Sequence, residues 1–159
     1  MGFQIKKISF SYGGNKAIDN VSLHLEPGKF YGIIGPNGCG KSTFLDLLSR
    51  QSRPTAGSVF FMGKDLAKYS KKALSKLIAL VPQNFYINFS FTAREIVLMG
   101  RYPHIPRFSS PAPQDMEIVD DVMTKTETSR FKNRFITELS GGERQRVVFA
   151  RALAQDTDV

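Results

Sequence analysis

Alternating apolar and polar positions open the chain. Ile8, Phe10 and Tyr12 are separated by polar residues until Gly13-Gly14-Asn15 breaks the run. Val21, Leu23 and Leu25 alternate in the same way up to Glu26-Pro27-Gly28. The pattern predicts two half-buried strands in an antiparallel arrangement. Phe30-Tyr31-Gly32-Ile33-Ile34 differs, being a short continuous apolar run that predicts a strand buried on both faces. A glycine-rich turn follows, and Thr43-Phe44-Leu45-Asp46-Leu47-Leu48 reads as a helix. Gly57 to Met62 predicts another strand, ended by Gly63-Lys64-Asp65.

Ser70 is placed to cap a short helix with Leu74, Leu77 and Ile78 on one side. Leu80-Val81 predicts a strand ending at Pro82-Gln83. Thr92-Ala93-Arg94-Glu95 fits a capping box opening a helix that Gly100 closes. Four prolines between Arg101 and Pro113 predict an irregular loop. Met116, Val119, Val122 and Met123 mark the next helix. The last helix is expected to begin at Ser140 and to bury Val147 and Leu153. Strands early and helices later make a mixed α/β chain.

Composition narrows the class. At 159 residues the chain has the length of about one domain. Hydrophobic residues are 42% and charged residues 23%, ordinary globular usage that argues against disorder or a disulfide scaffold. No apolar run approaches the roughly 20 residues of a membrane span, and MGFQIKKISF lacks a signal peptide's apolar block. The expectation is a cytosolic protein or one on the cytosolic face of a membrane. A single cysteine, Cys39, agrees with a reducing compartment. The net charge of +8 favours anionic partners without naming one. The two histidines, His24 and His104, suggest no catalysis, and no cluster at ligand spacing predicts a zinc or iron site.

Gly35-Pro36-Asn37-Gly38-Cys39-Gly40-Lys41-Ser42 matches the phosphate-loop pattern between an apolar run and a helix. Glycines leave main-chain N–H groups free to converge on phosphate oxygens, and the helix points its positive end at them. Lys41 adds charge for the outer phosphates, and Ser42 offers a hydroxyl to Mg²⁺. Thr43 follows them in the same first helical turn and joins the candidate nucleotide-binding set. Cys39 occupies a free position of the loop and reads either as a passive small residue or, near a helix start and a lysine, as a reactive thiol. Alkylation there is expected to block nucleotide binding and bound ATP to protect it.

Leu139-Ser140-Gly141-Gly142-Glu143-Arg144-Gln145 is the second informative stretch. Ser140 and Glu143 form a capping-box pattern by themselves. That pattern leaves Gly141 and Gly142 unexplained, because adjacent glycines weaken a first helical turn while letting a ligand approach the backbone. A hydroxyl, bare N–H groups and a helix dipole make a second anion site.

With both motifs in this order, the sequence resembles the ATP-binding-cassette (ABC) ATPase family along essentially its whole length. The resemblance implies an α/β P-loop NTPase fold with an antiparallel β subdomain, a RecA-like core and a helical subdomain. It divides the chain into residues 1–87 (β subdomain and phosphate-loop core), 88–137 (helical subdomain) and 138–159 (signature motif and helix). It implies ATP and Mg²⁺ as ligands. Tyr12 would stack on adenine, residues 35–43 would hold phosphates, and Ser140, Gly141, Gly142 and Glu143 would meet the ATP of a partner copy. Gln83 matches the family's glutamine loop, which contacts Mg²⁺ and the attacking water and senses the membrane subunit.

The implied mechanism pairs two cassettes head to tail around two ATP molecules; hydrolysis reopens the pair and moves attached permease subunits. Leu98-Met99-Gly100-Arg101-Tyr102-Pro103-His104 looks like importers of iron–siderophore complexes, haem or vitamin B12. Such a subunit would sit peripherally on the cytoplasmic side of the inner membrane, with a substrate-binding protein as an indirect partner and no direct nucleic-acid contact. The family pattern continues beyond Val159 with a strand closing in Asp-Glu, which this sequence does not contain, so the chain is expected to bind ATP and barely hydrolyse it. The strand is also expected to lie beside residues 30–34, whose apolar edge is otherwise exposed. Two other readings are a soluble ABC ATPase acting on ribosomes or DNA, and a non-enzymatic nucleotide-binding module.

Overall fold

Gly13 and Gly14 both take positive φ, 52° and 94°, and this tight turn sends the first strand back along itself. In the computed structural model, which describes residues 2–83, 85 and 89–159, β1 spans Phe3–Tyr12 and β2 spans Asn15–Leu25. They pair antiparallel, as their alternation predicts. The chain then forms α1 (Lys41–Leu48), β3 (Ala56–Phe61) and β4 (Lys64–Asp65). The sheet order is β2-β1-β3-β4.

These elements make one compact unit, Met1–Ser70. Phe3, Ile5, Ile8, Ile18, Val59 and Phe61 are its buried strand residues, and Phe44, Leu47 and Leu48 its buried helical ones. Strict alternation from Ile5 would turn Lys7 inward and Ile8 outward. Instead the register shifts between Ile5 and Ile8, with Lys7 at φ 48°. This bulge buries Ile8 completely and leaves Lys6 and Lys7 exposed.

The second unit, Lys71–Val159, is helical. It contains α2 (Lys71–Leu74), α3 (Ala93–Leu98), α4 (Pro113–Lys125) and α5 (Gly141–Ala154). Its core joins Ile96 and Val97 of α3, Val119 and Met123 of α4, and Val147, Ala150 and Ala154 of α5. Thr92 caps α3 in the predicted box: its hydroxyl accepts from the Glu95 N–H, and Glu95 Oε2 accepts from the Thr92 N–H at 2.7 Å.

Several expectations are corrected. Residues 29–35 form no strand, and Phe30 and Ile34 are 100% and 96% exposed rather than buried. A buried strand must satisfy its N–H and C=O groups on neighbours, and none runs beside this segment among the described residues. Leu80-Val81 forms no strand either. Just before it, Val159 donates to the Leu77 carbonyl at 3.2 Å and accepts from the Ala79 N–H at 2.7 Å, one rung of a parallel ladder.

Gly100 does not close α3. The chain continues through a 3₁₀ turn, Met99–Arg101, and Gly100 is buried against α5. A Cβ there would collide with the Arg151 carbonyl oxygen and lie 3.1 Å from Ala154 Cβ. Leu153 is 44% exposed, not buried, because the inward face of α5 runs through Val147, Ala150 and Ala154.

Candidate functional site

The phosphate-loop residues of the first unit lie in an open turn. Gly35 through Cys39 are exposed, and Gly38 and Gly40 adopt φ 82° and 94°. Gly40 is the N-cap of α1, where no side chain caps the helix. It has a steric reason to be glycine as well: a Cβ would come within 2.5 Å of the Ala17 carbonyl oxygen in β2. The first turn of α1 carries no acidic residue, so the positive end of the helix stays uncompensated by its own side chains.

Lys41 folds back over this turn. Its Nζ donates to the carbonyls of Gly35 at 2.8 Å and Pro36 at 2.7 Å and lies 3.8 Å from Cys39 Sγ. Ser42 is exposed, so its hydroxyl is open to a cation or water. Thr43 is 8% exposed and packs inward. The donor set fits a magnesium-bound polyphosphate, with glycine N–H groups and Lys41 for the anion and the Ser42 oxygen for the hard cation. Tyr12 ends β1 with 53% exposure and an edge-to-face contact to Phe10 at 4.8 Å, which leaves ring surface for stacking.

The second unit holds the other candidates. Ser140 N-caps α5: its Oγ accepts from the Glu143 N–H at 3.3 Å and donates to Glu143 Oε2 at 2.9 Å. Glu143 Oε2 also accepts the Ser140 N–H at 2.9 Å. The Ser140 N–H and then its hydroxyl hold the Glu143 carboxyl below its usual range; slight burial opposes this, and the charges of Arg134 and Arg130 assist. A Cβ on Gly141 or Gly142 would meet nothing within 4 Å, so no neighbour among the described residues demands glycine there. Gln83 is exposed in a bend after Pro82. Among the described residues no group of three His, Cys, Asp or Glu is placed to hold a metal ion.

One polar network has no sequence signal. Arg101, 6% exposed, pairs with Asp115 (Nε to Oδ1, 3.0 Å) and donates from Nη1 to the Ala154 carbonyl at 2.9 Å. His104 Nε2 donates to the Gln155 carbonyl at 2.8 Å, and the Gln155 side chain donates to Ser75 and Ile78 carbonyls. Together they satisfy the end of α5. The partners are 14 to 80 residues apart, beyond any local pattern.

The chain is similar to known proteins in both sequence and fold. The cobalamin import ATP-binding protein BtuD of Halobacterium salinarum is 42% identical over 159 residues, all of this chain and 39% of that protein. The ferric enterobactin transport ATP-binding protein FepC of Escherichia coli is 37% identical over 154 residues, 97% of this chain and 57% of that one. The chain thus spans about two fifths to three fifths of these relatives. The dimeric, ADP- and Pi-bound ATP-binding cassette MJ0796 superposes with a TM-score of 0.81 at 29% identity, covering 98% of this chain and 70% of that one. A P-loop cassette fold accounts for the antiparallel sheet, the glycine loop before α1 and the capped α5, and through the match of the ABC transporter model over residues 18–159 this chain belongs to the ABC transporter family.

Proposed function

We propose that the intact protein is the ATP-binding, energy-coupling subunit of an importer for iron–siderophore complexes, haem or cobalamin. Two copies pair head to tail, and each ATP lies between the phosphate loop of one and the start of α5 of the other. The observation that carries this reading is the presence of two differently built helix starts. Gly40 opens α1 without a side-chain cap beneath the folded-back Lys41, whereas Gly141 and Gly142 open α5 onto space. Each suits an anion.

In this reading residues 35–43 hold the phosphates, Ser42 supplies an Mg²⁺ ligand and Tyr12 supports the adenine. Ser140, Gly141, Gly142 and Glu143 form the partner-facing surface. The role of Gln83 toward Mg²⁺ and water rests on the family resemblance, as does the division at 87 and 137. Transport is supported by relatives named for cobalamin import and ferric enterobactin transport. A permease partner is supported by the relatives named as import and transport ATP-binding proteins. In this reading attachment to the membrane is peripheral and from the cytoplasmic side, as the family resemblance implies; no helix among the described residues is long and apolar enough to cross a membrane.

In this reading residues 1–159 bind MgATP and turn it over poorly, since the resemblance assigns part of the positioning of Mg²⁺ and of the attacking water to an Asp-Glu strand outside them. Affinity capture of the intact protein from detergent-solubilised membranes tests the assignment. A stoichiometric integral membrane partner is expected; recovery only with ribosomes or DNA favours a soluble ABC ATPase instead.

A further inference from the structure

The proton count at the start of α5 points to a specific role for Glu143. The Ser140 hydroxyl has a single hydrogen, and it is donated to Glu143 Oε2 at 2.9 Å. A carboxylate only accepts, so the direction of this bond is fixed. A phosphate oxygen arriving over Gly141 and Gly142 also only accepts. Ser140 can meet it only by withdrawing its hydrogen from Glu143. The bond from the Glu143 N–H to Ser140 Oγ survives the change, because it uses a lone pair.

A second feature acts in the same direction. The Glu143 carboxylate carries a negative charge in the same first helical turn as Gly141 and Gly142, where the anion would land. Arg134 and Arg130 offset it in part. α3 provides an internal comparison: Thr92 and Glu95 form the same box, with Oγ1 to Oε2 at 2.8 Å. There the next residue is Ala93, which is fully buried, and the helix start is closed to any ligand. Of these two hydroxyl boxes, the one at α5 stands beside open main chain among the described residues.

We propose that Glu143 is a brake on ATP-driven pairing, holding the Ser140 hydroxyl in the capping box until the partner's triphosphate displaces it. This rests on the paired-cassette reading above. Glutamine at the same position preserves the box, since either residue serves there. Its neutral oxygen holds the hydroxyl less strongly than a carboxylate does, and it repels no phosphate.

The test measures pairing of the intact protein by sedimentation velocity with a magnesium-bound, non-hydrolysable ATP analogue. Analogue binding is followed separately by fluorescence. Glu143→Gln is expected to lower the analogue concentration needed for pairing by about fivefold, the difference between a charge-assisted and a neutral hydrogen bond, with binding to the single subunit unchanged. Glu95→Gln is the control that leaves pairing unchanged. In a Ser140→Ala background the gain from Glu143→Gln is expected to fall by at least half, because no hydroxyl remains to be released. Pairing by Glu143→Gln equal to or weaker than wild type, or an undiminished gain without Ser140, overturns the brake while leaving the paired cassette intact. Analogue binding without pairing in any variant overturns both.

Discussion

Lys41 Nζ lies 2.8 Å from the Gly35 carbonyl oxygen, a side chain turned back on the loop that precedes its own helix. A polyphosphate seated on the loop offers that ammonium a charged acceptor instead of a neutral one. Lys41→Ala is expected to cost about 2–3 kcal/mol of MgATP binding, roughly 30- to 150-fold in Kd. Titration with a fluorescent ATP analogue checks this, with circular dichroism to verify folding. An unchanged Kd contradicts the assignment of the loop.

Cys39 is exposed, and a Cβ on Gly35 would lie 2.7 Å from its Sγ, so an added group there crowds the loop. Alkylation is expected to block nucleotide binding, and prior MgATP to slow the labelling. Mass spectrometry follows the adduct, and full binding by fully alkylated protein refutes the idea.

Gly100 belongs to the packing of α5. Gly100→Ala must push the Met99–Arg101 turn away from the Arg151 carbonyl, and overpacking of this kind costs about 1–3 kcal/mol. Urea unfolding is expected to show a lower midpoint at similar slope. A neutral result means the backbone yields without loss.

Asp115 links stability to pH. Burial alone would raise its carboxyl, but the Arg101 hydrogen bond, the Ala112 N–H and the charges of Arg101 and His104 outweigh that and hold it below its usual range. Because the folded value is depressed, the contribution is complete above the unfolded value of about 3.9 and is lost as pH falls through the folded value. Asp115→Asn strands the charge of the buried Arg101 side chain and is expected to cost about 3 kcal/mol at pH 7. The gap in Tm between wild type and variant should narrow below pH ~4. A constant gap down to pH ~2 removes Asp115 from the account.

Local chemistry was the legible part of this fold. The boxes of Thr92 with Glu95 and Ser140 with Glu143 each fit within one turn, and both form at the residues that spell them. The Gly13-Gly14 turn and the strands beside it are equally local. What failed depended on distant partners. Phe30–Ile34 has the composition of a buried strand, but composition cannot provide the neighbour that buries it. Gly100 stands where a helix stop is plausible, and a stop and a close helix contact both call for glycine. The phase of α5 was misjudged at Leu153 because small alanines, rather than large residues, form its inward face. In the candidate site the glycine patterns marked both helix starts. The backward fold of Lys41 and the commitment of the Ser140 hydrogen are set by geometry that spacing does not encode.

The central claim is that one triphosphate is held by helix starts from two copies. Ser140→Arg places a long cation where the partner's phosphate should arrive, 100 residues from the phosphate loop in sequence. The decisive measurement is ATP-analogue-driven pairing of the intact Ser140→Arg protein beside wild type, with analogue binding scored in the same samples. The account predicts wild-type binding and no pairing; pairing equal to wild type would contradict it.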